Sequence, residues 1–220
     1  MCTTIIITII ITIIRIIITI IITIIFYKLY IMKIYILRHE DRTQDCSFFS
    51  PLTLKGLENS KNLIDLLEKC NINVIFSSPF IRTLQTVYPY SKDKNIKINL
   101  EYSLCEIHHE DLIPIKAHGM YLPEYIAELF HYNSEYKTLM KPTEITFPEK
   151  EHHVVIRTKR FLRNILNNYI NTDANILIVT HQIVCLSILK IINPEIQNYE
   201  KGHLTKIIDD NGWNLESINY

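Results

Sequence analysis

The residues Leu37-Arg38-His39-Glu40-Asp41-Arg42 set a histidine between two arginines, directly after the apolar run Lys33-Ile34-Tyr35-Ile36-Leu37. A β-branched and aromatic run of that length reads as a buried strand. It would deliver Arg38 and His39 to its carboxyl end, where open α/β sheets bind their ligands. A guanidinium fork matches the oxygens of a phosphate bidentately, whereas an ammonium acts as a point charge. Lysines outnumber arginines more than twofold, and Arg38, Arg42 and Arg82 all fall at strand ends or helix starts. The chemistry this pattern suits is the holding of an oxyanion beside an imidazole. The competing reading is a surface ion-pair cluster built on Asp41.

Two further junctions have the same form. Val74-Ile75-Phe76 reads as a short buried strand ending in Ser77-Ser78-Pro79, and Pro79 is suited to open a helix carrying Arg82, Thr83 and Thr86. Free N–H groups at a helix amino terminus favour anions, so Arg82 is a candidate phosphate ligand, with a solvated surface arginine as the alternative. Asn175 to Val179 is an apolar strand with Thr180-His181 at its end, followed by an apolar helix from Gln182 to about Ile192. A strand-terminal histidine alone is a packing or capping residue. Opposite His39, it can share a crevice.

The elements that must position these residues are legible between them. Thr53 reads as the N-cap of a helix running to about Cys70, with Leu57, Leu63, Ile64, Leu67 and Cys70 on one face. Lys97 to Leu100 is a further strand. In His108-His109-Glu110-Asp111 the metal-ligand types are adjacent rather than spaced on one face, so they read as solvated loop residues and no metal is assigned. Residues 112–148, with a helix from Pro123 to about Tyr132, read as an insertion shaping a pocket rim. A long helix follows from about Glu149 to Asn171, with Phe161, Leu162, Ile165, Leu166 and Tyr169 at core spacing. Its Arg157, Arg160 and Arg163 read as a solvated face. Leu204 to Ile208, Asn211-Gly212 and Trp213 to Ile218 read as an edge hairpin.

A chain of 220 residues has room for one ordinary domain with a substantial core and an additional segment. Lys plus Arg and Asp plus Glu are both 23, so no overall field draws in nucleic acid, and recognition must be local. The five cysteines are odd in number and scattered, without a Cys-x-x-Cys pair, which argues against a disulfide framework or a zinc site and for a reducing compartment. No Asn-x-Ser/Thr glycosylation acceptor occurs.

The additional segment is residues 1–31, ahead of a domain expected over 32–220. From Ile5 to Phe26 the chain is almost pure isoleucine, broken by Thr8, Thr12, Arg15, Thr19 and Thr23. About 20 apolar residues span a bilayer. Isoleucines at roughly −0.3 to −0.6 kcal/mol each outweigh about +3 kcal/mol for a central arginine. A membrane helix over 5–26 would carry its polar residues as one stripe and, with Lys28 and Lys33 following it, leave the domain in the cytoplasm. The same tract is equally a low-complexity repeat of the kind a short nucleotide repeat encodes, with Met32 as a start that yields the whole domain. A third reading is a β segment prone to cross-β stacking.

Taken together, Leu37-Arg38-His39, Leu52-Thr53-x-x-Gly56, Ser77-Ser78-Pro79-x-x-Arg82-Thr83-x-Gln85-Thr86, Leu104-Cys105-Glu106 and Val179-Thr180-His181 resemble, in order, the motifs of the histidine phosphatase superfamily, in the branch with an Arg-His-x-x-Arg motif. The resemblance covers about Met32 to Tyr220. It implies an α/β fold, a three-layer α/β/α sandwich with a mostly parallel central sheet, as in phosphoglycerate mutases. It also implies His39 as the residue phosphorylated, Glu106 as proton donor, and Arg38, Arg42, Arg82 and His181 as phosphate ligands, with no cofactor and no metal. The chemistry agrees. A neutral imidazole nitrogen is a competent nucleophile near neutral pH, and arginines can supply the charge stabilisation that phosphoryl transfer demands. The expected activity is metal-independent hydrolysis of phosphomonoesters on a small molecule or a phosphoprotein. A mutase-type phosphotransferase and a catalytically impaired, membrane-tethered binding module stand as alternatives. The last is motivated by Glu40, which takes the place of the family's usual glycine beside the anion pocket. Gln182 likewise replaces a frequent glycine.

Overall fold

The computed structural model describes residues 9–21, 32–45, 47–111, 113, 118–170, 172–199, 204–209 and 213–218. Residues 9–21 form a helix (α1) whose isoleucines stand 46–54% exposed. Among the described residues no helix is long and apolar enough to cross a membrane. The rest of the tract over 5–26 lies outside the described residues.

The domain alternates strands and helices: β1 (Lys33–Arg38), α2 (Leu54–Lys69), β2 (Val74–Ser77), α3 (Ile81–Asp93), β3 (Ile98–Leu100), a short helix α4 (Glu124–Ala127), α5 (Glu151–Tyr169), β4 (Asn175–Thr180), α6 (Gln182–Ile192), β5 (Leu204–Asp209) and β6 (Trp213–Ile218). One sheet runs β3-β2-β4-β1-β5-β6. Its first four strands are parallel, and β5 and β6 continue it antiparallel, as the expected edge hairpin.

The side-chain period of two in a strand divides the core into two layers. Tyr35, Leu37, Ile75, Leu177 and Val179 face α2 and α3. Ile34, Ile36, Phe76, Ile176 and Ile178 face α5 and α6 with Phe161 and Ile165. Buried strands covered on both faces therefore lack polar alternation, which is why β1 and β4 read as continuous apolar runs. The architecture is the expected three-layer α/β/α sandwich with a mostly parallel centre.

Thr53 caps α2 as the sequence suggests, its hydroxyl accepting from the Gly56 N–H at 3.1 Å. The same residue reaches back to the site, with its N–H donating to the Asp41 carbonyl at 2.9 Å and its hydroxyl to the Asp41 carboxylate at 2.9 Å. Gly56 is what lets the two segments close up, because a Cβ there would lie far inside contact distance of the Asp41 carbonyl oxygen. We expect Gly56→Ala to cost about 1–3 kcal/mol, read as a lower midpoint in thermal or urea unfolding. An unchanged midpoint would refute this close-packing account.

Three local expectations are corrected. The helix expected over 123–132 is only α4 and a 3₁₀ turn, Glu128–Phe130, ended by His131 in the left-handed region at φ 53°. His108 is buried while His109, Glu110 and Asp111 are exposed as expected. Arg157, expected on a solvated face with Arg160 and Arg163, is turned into the core and only 3% exposed.

Candidate active site

The connections leaving the adjacent strands β1 and β4 run to opposite faces of the sheet, β1 into α2 and β4 into α6. Such a switch of direction opens a crevice at the carboxyl ends of the two strands. Beyond the regular ladder, backbone bonds lace these ends together. The His39 N–H donates to Thr180 O at 2.9 Å, Ser78 N–H to Val179 O at 3.0 Å, and Glu101 N–H to Ser77 O at 2.9 Å. The segments carrying His39, Ser78, His181 and the turn into Glu106 are thereby fixed to one another by main chain.

His39 is 2% exposed, and its Nδ1 lies 2.7 Å from the Glu40 carbonyl. A carbonyl can only accept, so Nδ1 carries the hydrogen and Nε2 presents its lone pair. The Glu40 peptide is itself held, its N–H donating to the Thr86 hydroxyl at 3.0 Å, which donates on to the Arg82 carbonyl at 2.7 Å. Burial, and then the positive charge of Arg82, push the His39 pKa down to about 3, so the ring is neutral at physiological pH. His181 is fully buried, its ring 5.3 Å from that of His39, and burial also holds it well below the ordinary histidine value. Its Nε2 is 2.9 Å from the Ser78 hydroxyl and its Nδ1 is 3.5 Å from Glu106 Oε2.

Arg82 enters from the first turn of α3. Its Nη1 donates to the Ser47 carbonyl at 2.9 Å, its guanidinium sits 4.5 Å over the Phe80 ring, and Nη2 stands 3.8 Å from Glu106 Oε2. Arg38 projects from the end of β1 and donates to the Tyr199 carbonyl at 3.2 Å. Tyr199 in turn donates from its hydroxyl to Ile36 O at 2.6 Å, bracing the arginine against its own strand. Arg42 is half-buried at the rim, where it donates to Thr43 O at 2.6 Å and bridges to Leu52. Glu106 is 14% exposed, and its Oε1 accepts from the Ile107 N–H at 3.1 Å. Burial raises its pKa above the usual carboxylate value, against the opposing pull of Arg82. The structure thus brings His39, Arg82, Glu106 and His181 into one cluster, with Arg38 and Arg42 near enough for their charges to act on His39.

Ligand-type atoms of His39, Glu106 and His181 lie within 4.8 Å of one another, a set that could hold a cation. The arginines that depress both histidines also oppose a cation there, and favour an anion. Glu40, the residue that argued against the site, is 3% exposed, and Asn59 Nδ2 on α2 donates to its Oε2 at 3.0 Å. Sequence reasoning missed the partners Ser78, Thr86 and Tyr199. Ser78 and Thr86 stood within a quoted motif without a role, and nothing local marks Tyr199.

A doubly wound α/β sheet thus gathers two histidines, a carboxyl and arginines around the carboxyl ends of its strands. The chain belongs to the histidine phosphatase superfamily (branch 1), whose description matches residues 36–219. Membership supports phosphatase- or mutase-like activity. Among solved structures it is similar to the ecdysone phosphate phosphatase of Bombix mori (TM-score 0.60, 13% identity, covering 85% of this chain and 92% of that one). It is also similar to YhfR of Bacillus stearothermophilus (0.61, 20%, covering 84% and 96%) and to a mycobacterial glucosyl-3-phosphoglycerate phosphatase (0.60, 13%, covering 86% and 96%). At these identities the likeness is one of fold. A curated relative is the transcription factor tau 55 kDa subunit of Saccharomyces cerevisiae, 28% identical over 165 residues, 69% of this chain. The match spans 37% of that protein's length.

Proposed function

We propose that the chain hydrolyses phosphomonoesters through a phosphohistidine at His39. The observation that carries this is the single tautomer the Glu40 carbonyl allows, which leaves His39 Nε2 unprotonated beside Arg38, Arg82 and a carboxyl of raised pKa. In the first step Nε2 bonds to phosphorus, the bond to the ester oxygen breaks, and that oxygen takes the Glu106 proton. In the second, water attacks the phosphohistidine, Glu106 takes its proton, the nitrogen–phosphorus bond breaks, and inorganic phosphate leaves. Arg38, Arg42 and Arg82 hold the phosphoryl oxygens with His181. Preorganised positive charge of this kind stabilises a phosphoryl transition state without rearrangement. The neighbours support an oxyanion pocket, since the ecdysone phosphate phosphatase is in complex with tungstate and the mycobacterial phosphatase in complex with inorganic phosphate. The substrate class we propose is a phosphorylated small molecule or phosphoprotein. The free, buried thiols Cys70, Cys105 and Cys185 suit a cytoplasmic, reducing setting.

The test is to trap the intermediate by quenching the full chain during turnover of a radiolabelled phosphomonoester. The expected label survives alkali, is lost in acid, and maps to His39. Release of phosphate with no such label would overturn the phosphohistidine route, and isomerisation of phosphoglycerate without release would identify a mutase. A second reading, a binding module without turnover, is favoured by the likeness to the transcription factor tau 55 kDa subunit. Phosphate binding with neither label nor release would establish it.

A further inference from the structure

Outside the pocket, the chain buries an ion pair that the reaction above does not use. Glu149 lies just before α5 and Arg157 two turns inside it, and the two are 2% and 3% exposed. Arg157 Nε donates to Glu149 Oε1 at 2.7 Å and Nη2 to Oε2 at 3.1 Å, a two-pronged contact. Removing both charges from water is costly, and a buried pair of this kind is weak evidence for stability, so its remaining bonds indicate what else it does. Nη1 donates to the Ser103 carbonyl at 2.6 Å, and Nη2 reaches the Glu106 carbonyl at 3.4 Å. On the other side, Glu149 Oε2 accepts the His108 N–H at 3.0 Å, and the Glu149 N–H donates to the His108 carbonyl at 2.7 Å. The main chain is therefore gripped before, at and after Glu106.

We propose that Arg157, locked by Glu149, is a positioning residue that holds residues 103–108 so that the Glu106 carboxyl stands over His39 and Arg82. The inference rests on the phosphatase reading, in which Glu106 is the proton donor. Arg157 touches no reacting atom and works through the backbone that carries Glu106. Its charge also helps to limit the rise of the Glu106 pKa. A guanidinium is required, because an ammonium cannot hold a carboxylate and two carbonyls at once in a planar fork.

The experiment compares the full chain with Arg157→Lys, Glu106→Gln and the double variant, on an alkyl phosphate, whose leaving oxygen needs a proton, and on p-nitrophenyl phosphate, whose leaving group does not. Arg157→Lys is expected to lower kcat on the alkyl ester about 10- to 100-fold, the scale of a misplaced catalytic group. KM and the burst of p-nitrophenolate, which precedes the Glu106-assisted hydrolysis of the phosphohistidine, should move far less, and the loss should vanish in the Glu106→Gln background. Proportional losses in the alkyl-ester rate and in the burst, multiplying in the double variant, would show a merely structural role and overturn the proposal. If the unaltered chain hydrolyses neither ester, the phosphatase reading falls by itself. The coupling is then read by carbon NMR titration of the Glu106 carboxyl against Glu149→Leu/Arg157→Met, which removes the pair without stranding a buried charge. Because loss of the Arg157 charge moves the pKa by itself, the deciding signal is the backbone: changed carbon shifts over residues 103–108 would sustain the positioning role, and superimposable backbone shifts would end it.

Discussion

His39→Ala is expected to reduce release of phosphate from p-nitrophenyl phosphate by roughly 10⁴- to 10⁶-fold, the scale seen when a catalytic nucleophile is deleted. The reason is geometric. The arginines and Glu106 can hold and protonate an ester without His39, but no other described side chain offers a nitrogen lone pair fixed by a carbonyl beside them. His181, the neighbouring imidazole, is engaged by Ser78 at 2.9 Å through Nε2 and faces Glu106 with Nδ1. Phosphate binding should survive, because the variant keeps Arg38, Arg42 and Arg82, so product inhibition measured by calorimetry serves as the control for folding. A variant retaining more than about a tenth of the rate would remove His39 from the role of nucleophile, since no binding effect of one side chain alone explains catalysis of that size.

The second large effect belongs to Glu106, and it depends on both the leaving group and pH. Glu106→Gln should lower kcat on an alkyl phosphate by about 10²- to 10⁴-fold, the usual contribution of a positioned general acid. In the unaltered protein kcat/KM for that ester reports the free enzyme. His39 must be neutral, so activity rises as pH passes upward through its lowered pKa of about 3. Glu106 must carry its proton, so activity falls as pH rises through a pKa that burial has placed above the ordinary carboxylate value. The outcome is an acid-side bell for alkyl esters, with Glu106→Gln erasing the descending limb and leaving the ascending one. A descending limb that persists in the variant would assign it to another group.

The parts of this site that could be read in advance were those written locally. Arg38-His39 and Thr180-His181 each follow an apolar run short enough to be a strand, and the carboxyl ends of parallel strands are where such folds put their chemistry. The helix after Thr53 was legible because capping and face periodicity agree, although the innermost positions include Gly56 and Ser60, small residues that an apolar pattern passes over. Arg157 was illegible for a definite reason. Arginines at 157, 160 and 163 recur at a spacing that spreads them around an exposed stripe, and nothing in that spacing says which one turns inward. The signal lay eight residues earlier in Glu149, a carboxylate outside the helix whose partner is recognisable only once the backbone of 103–108 is in place. The partner of Glu40 was illegible for a similar reason, because Asn59 lies on a different element.

The order of the sheet has a bearing on how the protein comes into being. β1 carries Arg38 and His39, and its two sheet neighbours are β4 and β5, both from the last quarter of the chain. During synthesis from the amino terminus, β1 therefore emerges long before anything exists to cover its edges, while β2 and β3 can pair with each other early. Its apolar residues Ile34, Ile36 and Leu37 stand unpaired through that interval, a state in which strands are open to wrong partners. Pairing across so much intervening chain is also the slow kind of contact to form. The crevice between His39 and His181 closes only when β4 slots between β1 and β2. Assembly of the crevice is thus among the last steps for a nascent molecule, and the strand that carries His39 depends on prompt completion of the chain.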